Sequence, residues 1–115
     1  NMRTKIESYL GFAKKSGNLM AGFSTCAAAM KKKKINLLIL SEDLAENSME
    51  KIISLARASN TPYIVYGHSD LLGPAAGSPG RAVFGITGGD FAAAILGEID
   101  KARQAQDTST EKEVQ

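Results

Sequence analysis

The residues with the greatest chemical potential in this chain are its single cysteine and its single histidine. Cys26 and His68 could in principle act as a nucleophile and its base. Cys26, however, falls on the apolar stripe of a predicted helix, where an unpaired cysteine packs as a small hydrophobic residue. His68 falls between a predicted strand and a predicted helix, where local capping or surface hydrogen bonding accounts for it. We therefore predict no catalytic pair.

The acidic residues do not supply an active site either. Glu42 and Asp43 are adjacent in sequence, so their side chains are not expected to face each other as an acid–base pair. One His, one Cys and no clustered carboxylates give no metal-ligand spacing. The sequence thus predicts a protein that is not an enzyme, with no catalytic residues, no metal site and no cofactor.

A segment rich in glycine and proline, residues 73–81, is the next candidate for chemistry. It contains Gly73, Gly77 and Gly80 but lacks the Gly-Lys-Ser/Thr ending of a phosphate-binding loop. Glycines allow backbone amides to approach a polyanion closely, and Arg81 at the end of the segment can bind a phosphate through paired hydrogen bonds. A tight turn with a structural arginine fits the same pattern, so both interpretations stay open.

Positive charge is concentrated at the N-terminal end of the chain. The 115 residues carry a net charge of +2, but residues 1–34 hold eight basic residues and one acidic residue. The remainder is mildly acidic, with a net charge of −3 over residues 35–103 and −2 over residues 104–115. Such asymmetry is typical of a polyanion-binding surface, although the lysine run at 31–34 is also typical of a solvated helix face.

The aromatic residues are predicted to lie in the core. All of those on apolar stripes or strands are interpreted in this way, namely Phe12, Phe23, Tyr63, Phe84 and Phe91, and the chain has no Trp. Proteins that bind single strands need exposed aromatic side chains for base stacking. A nucleic-acid partner is therefore expected to be structured RNA, recognised through its backbone, its shape and a few extruded bases.

Apolar periodicity places these residues on alternating helices and strands. Helices are predicted around residues 6–13, 23–30, 49–56, 68–72 and 91–99, and strands at residues 19–21, 35–40, 63–66 and 82–86. Asn47 or Ser48 is expected to cap the third helix. The nearly continuous apolar run at 35–40 indicates a strand covered on both faces. The order predicts an α/β fold, a three-layer α/β/α sandwich with a small mixed four-stranded sheet.

Length and composition predict the number of domains and the cellular compartment. The apolar pattern ends near residue 103, so we expect a single domain at 1–103 and a polar, disordered tail at 104–115. A single cysteine indicates a reducing, cytoplasmic setting. No apolar run approaches the length that spans a bilayer, and no signal peptide is recognisable, so no membrane association is expected.

Several motifs together resemble the ribosomal L7Ae/L30e kink-turn RNA-binding family over roughly residues 3–100. They are Gly22 before the second helix, the strand ending in residues 41–43, the Thr-Pro-Tyr at 61–63 and the Leu-Gly-Pro-Ala-Ala-Gly at 72–77. The Arg-Ala-Val at 81–83 and the basic first helix are most similar to the bacterial YlxQ-type branch. The resemblance implies a non-catalytic α/β/α protein that binds ribosomal or regulatory RNA, as a monomer with possible ribonucleoprotein partners.

The resemblance also implies where RNA binds, namely at the N-terminus of the second helix and at the glycine-rich segment. Typical members carry Gly-x-Asn-Glu at that helix with a Lys a few residues later. This chain has Gly22-Phe23-Ser24-Thr25 there and Ala28 at the Lys position. With the neighbouring cations added, the expected RNA-binding residues are Gly22, Ser24, Thr25, Lys14, Lys15, Lys31, Lys32, Lys33, Leu72, Gly73, Ala75, Gly77, Ser78, Gly80 and Arg81.

Two other functions remain alternatives at the level of sequence. One is a small-molecule or nucleotide-binding α/β domain in which the glycine-rich segment holds an anionic ligand. The other is an adaptor that binds proteins within an RNA-associated complex. In that case an exposed apolar patch matters and the lysines at 31–34 do not.

Overall fold

The computed structural model describes the backbone of residues 3–114 and the side chains of residues 3–106. Its helices are α1 (Lys5–Lys15), α2 (Phe23–Lys31), α3 (Glu46–Ala58), α4 (Ser69–Ala75) and α5 (Gly89–Val114). Its strands are β1 (Leu19–Ala21), β2 (Leu37–Leu40), β3 (Tyr63–Val65) and β4 (Val83–Ile86). The alternation of helices and strands follows the order that the apolar periodicity predicts.

The four strands form one mixed sheet in the order β1-β4-β2-β3. Strand β4 is antiparallel to both β1 and β2, whereas β2 and β3 are parallel. Strand β2 is central, and its side chains alternate between two cores: Leu37 and Ile39 on one face, Leu38 and Leu40 on the other. This position explains why the β2 sequence is apolar at every residue.

Helices cover both faces of the sheet. Apolar residues of α1, α4 and α5 pack on one face, around the fully buried Phe84 and Ile86. Residues of α2 and α3 pack on the other face, around Met30 and Ile52. The predicted three-layer α/β/α sandwich with a mixed four-stranded sheet is therefore confirmed.

Cys26 belongs to the second of these cores, as its position on the apolar stripe predicts. The thiol is fully buried, and its Sγ lies 3.8 Å from the carbonyl oxygen of Met20. Burial raises the pKa of the Cys26 thiol to about 12. Gly85 makes room for it, because a Cβ there would lie 3.3 Å from Sγ and only 2.7 Å from Cδ1 of Ile35. A thiol in this environment stays protonated and is not a nucleophile.

Three local predictions are wrong. Helix α3 begins after Ala45 without a side-chain cap, so neither Asn47 nor Ser48 caps it. Helix α4 continues through residues 73–75, which the glycine and proline content predicts as loop, because Leu72 and Ala75 are buried in this helix. Phe12 is 54% exposed rather than part of the core, because α1 turns Ile6, Leu10 and Ala13 inward and leaves Phe12 outside.

Helix α5 continues past the expected end of the domain at residue 103. Among its described side chains, the last buried apolar one is Ile99, and Arg103 donates a hydrogen bond to the carbonyl oxygen of Val65. The helix extends to Val114, across most of the segment for which the sequence predicts a polar tail. The division of the chain into a domain at 1–103 and a tail at 104–115 remains a prediction.

Candidate nucleic-acid interface

The N-terminus of α2 lacks an acidic or side-chain cap. Gly22, the residue before the helix, has φ 107° and ψ 148°, a conformation open almost only to glycine. Its N–H donates to the carbonyl of Val83 at 2.9 Å, and no acidic residue lies in the first turn of the helix. Among the described residues, none accepts a hydrogen bond from the next amides, those of Phe23, Ser24 and Thr25. These three donors therefore point outward with the positive end of the helix dipole.

The turn between α4 and β4 has a shape fixed by its backbone. Gly77 ends α4 with φ 67°, and the N–H of Ser78 donates back to the carbonyl of Gly73 at 2.8 Å, as in a Schellman motif. Residues 78–81 then form a turn in which the N–H of Arg81 donates to the carbonyl of Ser78 at 3.2 Å. Pro79 and Gly80, with φ 85° at the glycine, match the middle of a type II turn.

The sheet register brings this turn to the N-terminus of α2. Strands β1 and β4 are antiparallel with Ala21 opposite Phe84, so the residue that follows β1 meets the residues that precede β4. As a result the guanidinium of Arg81 lies against Gly22, with Nη1 3.4 Å from the position that a Cβ on Gly22 would take. The absence of a side chain at Gly22 is what allows this approach.

Arg81 increases the positive potential at this point instead of balancing it. The side chain is exposed and forms no salt bridge with a carboxylate of the described residues. A cation beside the positive end of a helix dipole is unfavourable by itself. Three outward amides and a planar guanidinium together form a site that favours an anion such as a phosphate.

Lys14 extends the basic surface from the turn towards α1. Its aliphatic stem packs over Gly77, with Cγ 3.3 Å from the position of a Cβ on that glycine. Lys15 follows at the end of α1, and both lysines are exposed. The expected RNA-binding residues that the fold brings together, which we call the Arg81 surface, are Gly22, Ser24, Thr25, Lys14, Lys15, Gly77, Ser78, Gly80 and Arg81.

Other expected RNA-binding residues do not lie at this surface. Leu72, Gly73 and Ala75 are buried in α4, where a Cβ on Gly73 would lie 3.1 Å from the carbonyl oxygen of Ser78. They support the turn from its buried side and offer no side chain to a ligand. A sequence motif of glycine, proline and apolar residues does not distinguish the exposed positions from these supporting ones.

The lysine run lies at the opposite end of α2 from Gly22, about 13 Å along the nine-residue helix. Lys33 adopts φ 57° in the turn that ends the helix. Lys31 and Lys33 border a cleft of about 290 Å³ between α2 and α3, which is otherwise lined mostly by apolar residues such as Met30 and Leu55. Lys31, Lys32 and Lys33 are exposed but separate from the Arg81 surface.

Asp43 and His68 both accept hydrogen bonds at the start of α4, and we call this pair the clamp. Asp43 accepts hydrogen bonds from the N–H of Ser69, at 2.9 Å, and from its hydroxyl. The Ser69 hydroxyl and N–H thereby hold the pKa of the Asp43 carboxyl below its usual range. Nδ1 of His68 accepts from the N–H of Asp70 at 3.2 Å, which confirms the capping role expected for this histidine.

Comparison with known proteins agrees with this fold. The model of the Ribosomal protein L7Ae/L30e/S12e/Gadd45 family matches residues 4–95. The chain belongs to this family. The match covers α2 and the turn between α4 and β4, so the Arg81 surface lies within the family region.

Two solved structures illustrate the similarity. A protein with unknown function from Bacillus halodurans C is 28% identical with a TM-score of 0.80, over 85% of this chain and 99% of that one. The Giardia lamblia 15.5kD RNA binding protein is 17% identical with a TM-score of 0.67, over 87% of this chain and 92% of that one. Among curated proteins, no relative matches.

In the part of the chain that the structure describes, no helix combines the length and the apolar character needed to cross a membrane. Within the same residues, no group of three or more His, Cys, Asp or Glu is placed to hold a metal ion.

Proposed function

We propose that this chain is a non-catalytic RNA-binding protein that holds structured RNA against the N-terminus of α2 and the turn between α4 and β4. The observation that carries the proposal is the guanidinium of Arg81 beside Gly22, next to three outward amides and without a carboxylate partner among the described residues. Membership of the L7Ae/L30e family and the shared fold with an RNA-binding protein support it.

The proposed contacts follow from the donors available at this surface. The amides of Ser24 and Thr25 and the guanidinium of Arg81 donate to phosphate oxygens, and Lys14 neutralises an adjacent phosphate. The hydroxyls of Ser24 and Thr25 hydrogen-bond to phosphates or to base edges. The glycines at 77 and 80 let the backbone of the turn approach the RNA closely.

The RNA is proposed to be ribosomal or regulatory and of the kink-turn type. We further propose that the protein acts in the bacterial cytoplasm as a monomer, within the YlxQ-type branch of the family. Lys31, Lys32 and Lys33 lie about 13 Å from Gly22, beyond the Debye length of ~8 Å at physiological salt, so their charge is largely screened at the Arg81 surface. They contribute only by contacting a more distant part of the RNA.

A binding titration over several salt concentrations tests this proposal, with a kink-turn RNA and a plain duplex as ligands. We expect tighter binding to the kink-turn RNA and an affinity that falls with salt, because each neutralised phosphate adds roughly −0.7 to −0.9 to the logarithmic slope. No binding at low salt, or an affinity independent of salt, would show that the proposed function is wrong.

Two variants that remove the same charge test the location of the site. One replaces Lys14, Lys15 and Arg81 with Ala, and the other replaces Lys31, Lys32 and Lys33 with Ala. The first should lower the affinity more and flatten the salt slope by about 2 to 3, whereas the second should change the slope by less than 1. Equal losses would mean that total charge, and not the Arg81 surface, determines binding.

A thermal-shift screen addresses the alternative of a small anionic ligand. Stabilisation by one phosphate-bearing metabolite at concentrations where inorganic phosphate has no effect would favour that function over RNA binding.

A further inference from the structure

The outward face of α1 carries a shallow hollow that shares only Lys15 with the proposed interface. It has a volume of about 160 Å³ and is lined by Arg3, Ser8, Gly11, Phe12 and Lys15. Phe12 is 54% exposed, which makes it one of the few large apolar side chains on the described surface. We call these five residues the α1 hollow.

The stability of the fold does not explain the residue types at two positions of the α1 hollow. An exposed Phe adds little to a core that α1 already forms with Leu10 and Ala13. Gly11 lies inside the helix, where glycine is less favourable than alanine. A Cβ there would meet its nearest atom, the carbonyl oxygen of Ala75, at 3.4 Å, so an alanine would fit. Without a side chain, Gly11 leaves more open space in the hollow that it lines together with Phe12.

The charges around the α1 hollow are basic. Nη1 of Arg3 lies 3.8 Å from the position of a Cβ on Gly11, so its guanidinium reaches over the helix towards the hollow. Lys15 is three residues after Phe12, on the same helical face. Glu7, the one acidic residue of α1, is occupied elsewhere, because its carboxylate accepts the N–H of Thr4 at 3.0 Å in the capping box.

We propose that the α1 hollow binds one unpaired nucleotide of the RNA, with its base stacked on Phe12 and its phosphate between Arg3 and Lys15. Aromatic side chains stack on any base, and flanking cations neutralise the backbone. A bare phosphate would not need the aromatic ring, and an apolar protein segment would not need the two cations. The hydroxyl of Ser8 can hydrogen-bond to the edge of the stacked base.

The α1 hollow adjoins the proposed interface through neighbouring lysines of α1. Lys14, which packs over Gly77 of the turn, lies on the same helix one residue from Lys15. An RNA bound at Arg81 would thus extend an unpaired segment along α1. The inference rests on the proposed function, but it makes a separate prediction about unpaired nucleotides.

The chain contains no Trp, so Phe12→Trp introduces a single fluorescent reporter. We would titrate this variant with a kink-turn RNA that carries a short single-stranded extension and with the same RNA ending in a blunt duplex. The RNA with the extension should quench the Trp by stacking, and the blunt RNA should not. Leu96→Trp, at an exposed site on α5, is the control and should respond to neither.

Affinity gives a second readout. Phe12→Ala should raise the Kd for the extended RNA about five- to tenfold, the lower part of the range for base stacking, because the ring is half-exposed. It should leave the Kd for the blunt RNA within about twofold. Because Phe12 is largely outside the core, the variant is expected to fold, which circular dichroism would verify.

The outcomes separate this inference from the proposed function. If both RNAs bind, Arg81→Ala weakens both, and Phe12→Trp shows no quenching by the extension, the α1 hollow is not a nucleotide site and the proposed function stands. If neither RNA binds the unmodified protein, both ideas are wrong. Equal quenching of Phe12→Trp and Leu96→Trp would also contradict the inference, since it would show a non-specific effect.

Discussion

Replacing Gly22 with alanine is the sharpest test of how the interface is built. Gly22 has φ 107° and ψ 148°, and its backbone ends β1 and begins α2. An alanine could keep this conformation only under strain, and its Cβ would lie 3.4 Å from Nη1 of Arg81. The substitution therefore perturbs both the backbone that orients the amides of α2 and the guanidinium that lies beside them.

The strain sets the size of the effect on stability. A non-glycine residue in such a region costs about 1–3 kcal/mol, which corresponds to a fall in Tm of roughly 4–12 °C for a domain of this length. The contact with Arg81 adds little, because the guanidinium is exposed and can move away. Relief of the strain by rotation of the peptide after residue 22 would turn the first amides of α2 away from a bound phosphate. We therefore also expect a loss of RNA affinity of about tenfold, comparable to one charge-assisted hydrogen bond.

Urea denaturation and an RNA titration well below the Tm of the variant would measure the two effects. Gly97→Ala is the matched control, because Gly97 lies within α5 and no atom comes within 4 Å of a Cβ placed there. That substitution should stabilise the protein by about 0.5–1 kcal/mol and leave RNA binding unchanged. Equal or greater stability of Gly22→Ala relative to the unmodified protein would refute the conformation and the reasoning built on it.

Three further predictions concern other polar groups of the fold. Ser41→Ala should raise the free energy of unfolding by about 1 kcal/mol in urea, because the buried Ser41 hydroxyl has no hydrogen-bond partner among the described residues; a loss of stability would contradict this. The lowered pKa of Asp43 means that its contribution to stability is present above about pH 4 and disappears as the pH falls through the folded-state pKa. Asp43→Asn should accordingly weaken the protein at neutral pH and reduce its acid-induced loss of stability, whereas an unchanged acid dependence would argue against the clamp. The buried Cys26 thiol should not react with a thiol reagent until the protein unfolds, while a Ser24→Cys variant that also carries Cys26→Ala reacts at once; rapid reaction of native Cys26 would disprove its burial.

The sequence predicted the layers of this fold because local patterns and tertiary packing agree in most elements. The apolar run of β2 indicated a strand with two covered faces, and the structure buries it between two cores. The stripe of Ile6, Leu10 and Ala13 also excludes Phe12, so a stricter use of the same periodicity would have predicted that Phe12 is exposed.

The errors arose where distant contacts outweigh local preference. The Gly-Pro pair at 73–74 is typical of a loop, yet burial of the neighbouring Leu72 and Ala75 keeps this segment helical. Before the start of α3, the carboxylate of Asp43 binds Ser69 across the fold, a contact that no local pattern indicates. Sequence patterns alone do not reveal such partners.

The candidate site was predictable in its parts but not in its assembly. Proline and glycine at 79 and 80 indicate a turn, and Gly22 indicates a special backbone conformation. The contact between Arg81 and Gly22 follows from the antiparallel pairing of β1 with β4, which joins segments about sixty residues apart. That pairing is a property of the whole sheet.

The composition of the interface limits what it can recognise. The amides of α2, the guanidinium of Arg81 and the ammonium of Lys14 are all donors, and no carboxylate lies in the first turn of α2 to accept a hydrogen bond from a base. Among the side chains of this surface, only the hydroxyls of Ser24, Thr25 and Ser78 can accept, and a hydroxyl also donates. Such a surface favours phosphate oxygens and base edges rich in acceptors, such as O6 and N7 of guanine, over the N–H groups of bases. A Glu at the position of Thr25, as typical family members carry, would supply the missing acceptor. Selectivity among RNAs must therefore come more from the shape of the backbone that fits between the turn and α2 than from hydrogen bonds to particular bases.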